Sequence, residues 1–222
     1  VKPIVFDTAQ ASYLAGYLAA GVSKTGKVAT FGGGNQPPVT LFMDGFVDGV
    51  AKYNEVHGSA VRVLGWDKAA QNGTFTGDFE DINKGRTTTQ ALIDQGADVI
   101  LPVAGQVGEG AAAAAAEASG VSIIWVDNDG YDTLPAEYQP ILLTSVLKDT
   151  QAAVVEISGE NAETLGVQFG LGKGLPGLNG GLTSFSNVGV SIRDVLATLG
   201  VPIAAAANAS GLTGALSSGD SF

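Results

Sequence analysis

The sequence predicts an α/β fold in which a parallel sheet is covered by helices on both faces. Short apolar segments alternate four times with helix-like segments over the first 150 residues, and continuously apolar strands are typical of a sheet buried on both sides. The chain also contains 32 glycines among 222 residues, which suggests many tight turns between strands and helices. The crossover connections are expected to be right-handed.

The elements follow in order along the chain. Residues 3–6 form a short apolar strand, and Asp7 and Thr8 supply side chains that can cap a helix. Apolar spacing and small residues predict helices at 9–21, 39–53, 81–95 and 106–119. The remaining strands are predicted at 27–31, 60–64, 98–103, 121–126 and 141–146. Beyond about residue 150 the pattern weakens into a helix-like segment at 150–165, a glycine-rich stretch at 166–187 and a small, polar tail at 204–222.

Composition excludes several classes of function. The 22 acidic and 11 basic residues give a net charge of −11, which repels nucleic acid and anionic lipid headgroups. With no cysteine, the chain has no disulfide, thiolate metal site or cysteine nucleophile. No apolar run reaches the roughly 18 residues of a membrane span. Residues 1–6 lack the pattern of a signal peptide and read as a strand entered midway, so we expect the chain to begin inside a longer protein.

No catalytic motif is present. The sequence contains neither GxSxG nor GxxxxGK[ST], and its one histidine, His57, falls on a predicted exposed loop where such a residue is usually solvated. The glycines at 32–34 do not form GxGxxG, and the next acidic strand end, Asp67, lies too far along for a dinucleotide fingerprint. We therefore predict a binding protein that needs no cofactor or metal, and not an enzyme.

Ligands of open parallel sheets bind beyond the carboxyl ends of the strands. The sequence places glycines, carboxylates and nearby aromatic rings there, at residues 31–35, 65–67, 102–105 and 126–129. Glycine admits close approach and offers its N–H, carboxylates accept from sugar hydroxyls or amines, and aromatic rings stack on planar ligands. These ends predict a site for a small polar ligand.

Each of these residues also has a purely structural interpretation. The glycines at 32–34 suit a tight turn, and Asp127 and Asp129 suit turn caps, with no third ligand nearby for a metal. Phe75 and Phe79 suit core positions under a long loop, and Lys148 suits a solvated strand end.

Seven segments, in order, resemble one family. They are 11–20 (ASYLAGYLAA), 23–28 (SKTGKV) with Gly32 and Gly33, 42–50 (FMDGFVDGV), 96–100 (GADVI), 104–105 (AG), 126–129 (VDND) and 143–148 (LTSVLK). The series is similar to the basic membrane protein family of ABC-transporter substrate-binding proteins, which includes bacterial purine nucleoside receptors. The resemblance covers about residues 4–150.

The resemblance implies a type I periplasmic-binding-protein fold, with two α/β lobes that close on ligand. Residues 22–143 would form the second lobe, and residues 1–21 and 144–222 would supply crossover and partial first-lobe elements. The family's N-terminal third is not matched, so one lobe is expected complete and the other partial. The family is extracytoplasmic, in the periplasm or lipid-anchored to the cell membrane, and delivers its ligand to an ABC transporter permease.

The resemblance also implies roles for individual residues. Phe79 would stack on the base, Gly105 would make a backbone contact, and Lys148 would lie near the ligand on the hinge side. Asp129, or Asp127, would hold the ribose hydroxyls. Trp66 is a second candidate for the stacking ring.

Two alternatives to a nucleoside receptor remain open. One is a sugar- or autoinducer-binding protein of the same fold class, whose pocket would use similar aromatic and acidic residues. The other is a Rossmann-like nucleotide-binding enzyme that uses the glycine turn at 32–34.

Overall fold

A computed structural model describes residues 5–150 and 168–170 of the chain. In chain order the first elements are β1 (Val5–Asp7), α1 (Thr8–Val22), β2 (Lys27–Gly32), α2 (Pro37–His57), β3 (Arg62–Leu64), β4 (Trp66–Asp67) and β5 (Asn72–Gly73). Then follow α3 (Ile82–Asp94), β6 (Val99–Val103), α4 (Val107–Glu117), β7 (Ser122–Asp127), α5 (Gly130–Thr133), a 3-10 helix (Ala136–Ile141), β8 (Leu142–Leu147) and β9 (Gln168–Gly170). The other segments predicted beyond residue 150 lie outside the described residues.

The main sheet has five strands in the order β3–β2–β6–β7–β8, and every neighbouring pair is parallel. Helices α1 and α2 pack on one face, where their side chains meet strand residues such as Val28 and Leu101. Helices α3 and α4 cover the other face, which presents Phe31 and Ile100. The predicted parallel sheet flanked by helices is therefore confirmed.

Both helix pairs pack with their backbones in close contact. A Cβ atom added to Gly49 of α2 would lie 1.9 Å from the Tyr13 carbonyl oxygen of α1. The same atom added to Gly85 of α3 would lie 1.9 Å from the Val107 carbonyl oxygen of α4. Neither position has room for any side chain, so these glycines set how closely the two helices of each pair approach each other.

Two predicted boundaries differ from the structure at the end of α2, where Gly58 is the C-cap and the Asn54 side chain holds the chain that follows. The helix predicted to stop at residue 53 continues to His57 and ends at Gly58, whose φ of 61° is left-handed. Asn54, in the last turn of α2, makes two hydrogen bonds to Val61 beyond the helix. Its side-chain N–H donates to the Val61 carbonyl, and its side-chain oxygen accepts from the Val61 N–H. Because both backbone groups of Val61 are bonded to the helix, the strand predicted from residue 60 begins only at Arg62.

The segment that follows β3 contains two further short strands. Strands β4 and β5 pair antiparallel through Trp66 with Gly73 and through Asp67 with Asn72. This small ribbon folds the chain back, so that residues 74–79 return to the carboxyl ends of the main strands.

The predicted lobe of residues 22–143 leaves out most of two elements that belong to this packing. Helix α1 is buried along α2, and β8 forms an edge of the main sheet. Strand β1 instead pairs in parallel with β9, in a separate two-stranded sheet. The division into two lobes itself stays a prediction. None of the described helices is both long and apolar enough to cross a bilayer.

Candidate functional site

The order of connections reverses at the carboxyl ends of β2 and β6. From β2 the chain passes through α2 on one face to β3, whereas the later crossovers through α3 and α4 run on the other face. The loops after β2 and β6 therefore leave in opposite directions and open a crevice between the two strand ends. Such a switch point is where open α/β sheets bind their ligands.

The segment at 74–79 lies along the end of β2 and brings Phe79 to this crevice. The Gly32 N–H donates to the Thr74 carbonyl at 3.1 Å, and the Thr76 N–H donates back to the Gly32 carbonyl at 3.0 Å. One residue on, the Gly77 N–H donates to the Gly33 carbonyl at 2.9 Å. These bonds hold a short parallel run of chain against the end of β2 and fix where Phe79 leaves that strand end.

Glycines form the surface on which the Phe79 ring lies. A Cβ atom on Gly33 would lie 2.4 Å from the ring, whereas one on Gly34 would lie 3.5 Å from it, an ordinary contact. Gly105 has a left-handed φ of 57° and lies beside the Phe79 backbone. The ring is 36% exposed, so the structure differs from the core interpretation of Phe79. Phe79 and Gly105, two of the predicted site residues, thus adjoin each other.

Trp66 has a different environment. Its side chain is only 5% exposed, its indole N–H donates to Asp44 at 2.8 Å, and Phe75 packs edge-on against it at 5.8 Å between ring centroids. The two candidate stacking rings therefore differ in access, because Trp66, which belongs to β4, is buried against Phe75 while Phe79 is exposed beside the crevice. Phe75 occupies the partly buried position that the core interpretation gave it.

Asp127 and Lys148 form an ion pair at the ends of β7 and β8. The Lys148 ammonium nitrogen lies 2.7 Å from Asp127 Oδ1, and the Lys148 N–H donates to the Asp127 carbonyl at 2.9 Å. The same ammonium lies 4.8 Å from the centroid of the buried Phe42 ring, a cation–π distance. Lys148 is thus partnered from two sides and is not the solvated strand end of the structural interpretation.

The backbone at Asp127 is unusual. Its φ of 71° is left-handed, which few residues other than glycine adopt and which costs roughly 1–3 kcal/mol in such positions. Backbone strain of this kind is concentrated at functional sites, and here it turns the carboxylate toward Lys148 at the strand end.

Asp129 has the role of a cap in the described structure. Its Oδ1 accepts from the Tyr131 N–H at 2.9 Å at the start of α5, and the Ser145 hydroxyl lies 3.5 Å away. Its turn-capping interpretation therefore fits, and Asp129 is partly exposed.

Two features near the site were not predicted from sequence. In the sequence, Phe42, which lies under Lys148, is recognisable only as an apolar helix position, and nothing indicates a role for Asp78, which is next to Phe79.

Among the described residues no three acidic or histidine side chains come together as metal ligands. His57 was expected on a solvated loop, yet it ends α2, stacks on Tyr53 and lies 3.2 Å from the Tyr17 hydroxyl.

The chain matches known proteins over most of its length. The model of a family described as ABC transporter substrate-binding protein PnrA-like matches residues 1–175. Basic membrane protein B of Borreliella burgdorferi is 31% identical over 183 residues, which cover 79% of this chain and 49% of that protein. The ABC transporter nucleoside-binding protein BmpA of Lactococcus lactis is 28% identical over 175 residues, or 73% of this chain and 46% of that protein. The chain thus spans about half the length of these curated relatives.

Solved structures agree on the fold. An ABC transporter solute-binding protein from Aeropyrum pernix superposes with a TM-score of 0.63 at 22% identity, over 93% of this chain and 62% of that one. This likeness confirms the predicted type I periplasmic-binding-protein fold.

Proposed function

The chain belongs to the PnrA-like family of ABC transporter substrate-binding proteins, and on that premise we propose that its strand-end edge binds a nucleoside, with purine nucleosides as the first class to test. Closure of the two lobes would hold the nucleoside. The protein would work outside the cytoplasm and deliver the nucleoside, chemically unchanged, to an ABC permease. The resemblance to a relative named as nucleoside-binding supports this ligand class.

The observation that carries the proposal is an exposed aromatic ring on a glycine surface at the switch point. Phe79 presents a flat apolar face beside Gly33 and Gly105. A planar base gains about 1–3 kcal/mol by stacking on such a ring. Gly33 lies against one side of the ring, so a base would stack on the side that is exposed.

A second part of the edge suits a sugar. The Asp127–Lys148 pair and Asp129 lie at the ends of β7 and β8, the strands that follow β6 across the sheet. Neighbouring strands are about 4.8 Å apart, so these groups begin one strand spacing from Gly105. A nucleoside with its base on Phe79 would direct its ribose hydroxyls toward these carboxylates, which accept hydrogen bonds from a diol.

The sugar-receptor alternative would use the same acidic end of the site but would not require a base to stack on Phe79.

The dinucleotide alternative has less support. A phosphate at the start of α2 would need free backbone N–H groups, and Pro37 and Pro38 have none to give. The Val39 and Thr40 N–H groups already donate to the Gln36 carbonyl.

The proposal is tested by calorimetric titration of the full-length protein with inosine, adenosine, the free bases, ribose and galactose. We expect the nucleosides to bind more tightly than either half alone, because only they engage both the ring and the carboxylates. Binding of ribose or galactose without binding of nucleosides would contradict the proposal and favour the sugar receptor.

Replacement of Phe79 by alanine tests the stacking ring. The expected loss of nucleoside affinity is about 5- to 150-fold, the equivalent of one stacked base. Val56→Ala is the control, since Val56 is also an exposed apolar side chain but lies near the far end of α2. Equal affinities of the Phe79 variant and the wild type would remove Phe79 from the site.

A further inference from the structure

We propose that Asp78 and Lys84 are positioning residues that fix the loop carrying Phe79, so that the ring is already set for stacking before the ligand arrives. This inference rests on the proposed function for its purpose. Its structural part, the ordering of the Phe79 loop, is tested without a ligand.

Asp78 ties together the turn on either side of Phe79. Its Oδ1 accepts from the Glu80 N–H at 3.1 Å and from the Asp81 N–H at 2.9 Å. Its carbonyl accepts from the Thr76 hydroxyl at 2.9 Å. The Asp78 carbonyl therefore fixes the chain immediately before Phe79, and the Asp78 side chain fixes the chain immediately after it.

Lys84 holds the other carboxylate oxygen. Its ammonium group pairs with Asp78 Oδ2 from the first turn of α3. The hydrogen bond from Lys84 and those from the Asp81 and Glu80 N–H groups hold the pKa of Asp78 at about 2. The carboxylate is therefore ionised at neutral pH, the form in which it accepts all three bonds.

Helix capping does not account for this arrangement. Helix α3 already has its own cap, because Asp81 Oδ1 accepts from the Asn83 N–H at 3.0 Å. Asp78 lies outside the helix, and the two backbone N–H groups that its side chain accepts from belong to the turn at 78–81, while its ion pair with Lys84 anchors that turn to α3. What these contacts restrict is the backbone that presents Phe79.

The glycine surface completes the restriction on the ring. The ring lies where a Gly33 side chain would be, and the Asp78 carbonyl oxygen is 2.9 Å from that same Cβ position. An exposed ring on a free loop would lose conformational freedom when a base stacked on it, and a ring held in advance avoids that loss.

The experiment compares the full-length wild type with Asp78→Ala, Asp78→Asn and Lys84→Met. The control is Asp94→Ala, at the opposite end of α3, where Asp94 bonds only to Gln90 in its own helix among the contacts described. In ligand-free protein, NMR measures hydrogen exchange of the Glu80 and Asp81 amides and the relaxation of the labelled Phe79 ring. Inosine affinity is then measured by calorimetry for each variant, with and without Phe79→Ala.

We expect Asp78→Ala to speed exchange of both amides, increase ring motion and weaken inosine binding by about five- to tenfold. Asp78→Asn keeps an oxygen for the two N–H groups, so it restores most of the exchange protection and most of the affinity. Because Asp78 acts through the ring, adding Asp78→Ala to Phe79→Ala should change affinity less than about twofold.

Unchanged exchange and ring relaxation in Asp78→Ala would overturn the proposal. An equal loss of affinity with or without Phe79 would also overturn it, since Asp78 would then act on the ligand directly. If the wild type binds no nucleoside, the proposed function fails, while the ligand-free measurements still decide whether Asp78 orders Phe79.

Discussion

At the residue scale, Tyr13 is an exception to the rule that buried polar groups are hydrogen-bonded. Its hydroxyl is buried and has no hydrogen-bond partner among the residues that the structure describes. Burial, with smaller effects from Tyr17, Asp48 and Glu55, raises the pKa of this phenol above its usual range. Tyr13 therefore stays neutral at all physiological pH values and serves as an apolar ring against α2.

Replacement of Tyr13 by phenylalanine is expected to leave the free energy of unfolding within about 1 kcal/mol of the wild type, or to raise it. No hydrogen bond is lost, and a desolvated hydroxyl is removed. Chemical denaturation of both proteins measures the difference. Tyr17→Phe is the matched control and should cost about 0.5–1.5 kcal/mol, since it removes the contact with His57. A larger loss for Tyr13→Phe would reveal a partner beyond the described residues.

Residue types and their order predicted the strand ends as the site, but not the access of each ring. Phe79 was the first candidate for the stacking ring and Trp66 the second, yet both lie in one polar stretch after β3 that does not reveal which ring is exposed. Their exposure depends on the pairing of β4 with β5, which rests on two pairs of residues and leaves no periodic signal. The left-handed backbone of Asp127 was equally hidden, since most aspartates have a negative φ and tertiary contacts decide which of them do not.

At the scale of elements, glycine determines how the helices pack. The alternation of strands and helices was predictable because buried parallel strands and amphipathic helices have distinct apolar periods. The pairing of α3 with α4 was not, because it depends on where glycines face each other across two helices. Gly85 contacts the Val107 backbone, and Gly110 contacts the Ile82 backbone in return.

Gly85→Ala is therefore expected to destabilise the protein, by about 1–3 kcal/mol, although alanine is the better helix former. The new methyl group would overlap the Val107 carbonyl and push α3 from α4. Thermal and chemical denaturation measure the change. Thr87→Ala, on the exposed side of the same helix, is the control and should stay within about 0.5 kcal/mol. A stabilised Gly85→Ala protein would mean that the two helices separate at little cost.

At the scale of the whole molecule, α1 and β8 join the packed unit around the five-stranded sheet. Helix α1 buries one side of α2, including Phe46, and β8 covers the edge of β7. The lobe of residues 22–143 that the resemblance implied left out all of α1 except Val22 and all of β8 beyond Leu143, although both elements pack in this unit.

A polypeptide of residues 5–150 is expected to unfold cooperatively, whereas one of residues 22–143 is expected to lose the cooperative transition or to aggregate. The shorter chain exposes the apolar face of α2 and an unpaired edge of β7. Circular dichroism during thermal unfolding and light scattering distinguish the two. Equal unfolding temperatures would show that α1 and β8 are dispensable for this unit.

The contact between Gly33 and Phe79 also restricts how this site can change over time. The two positions are 46 residues apart, yet the ring of one occupies the space of any side chain at the other. A larger residue at position 33 is admissible only after position 79 has become smaller, and that first step removes the exposed ring. A shift to a new ligand class through these positions would thus pass through a variant without the stacking surface, so the pair should be inherited as a unit.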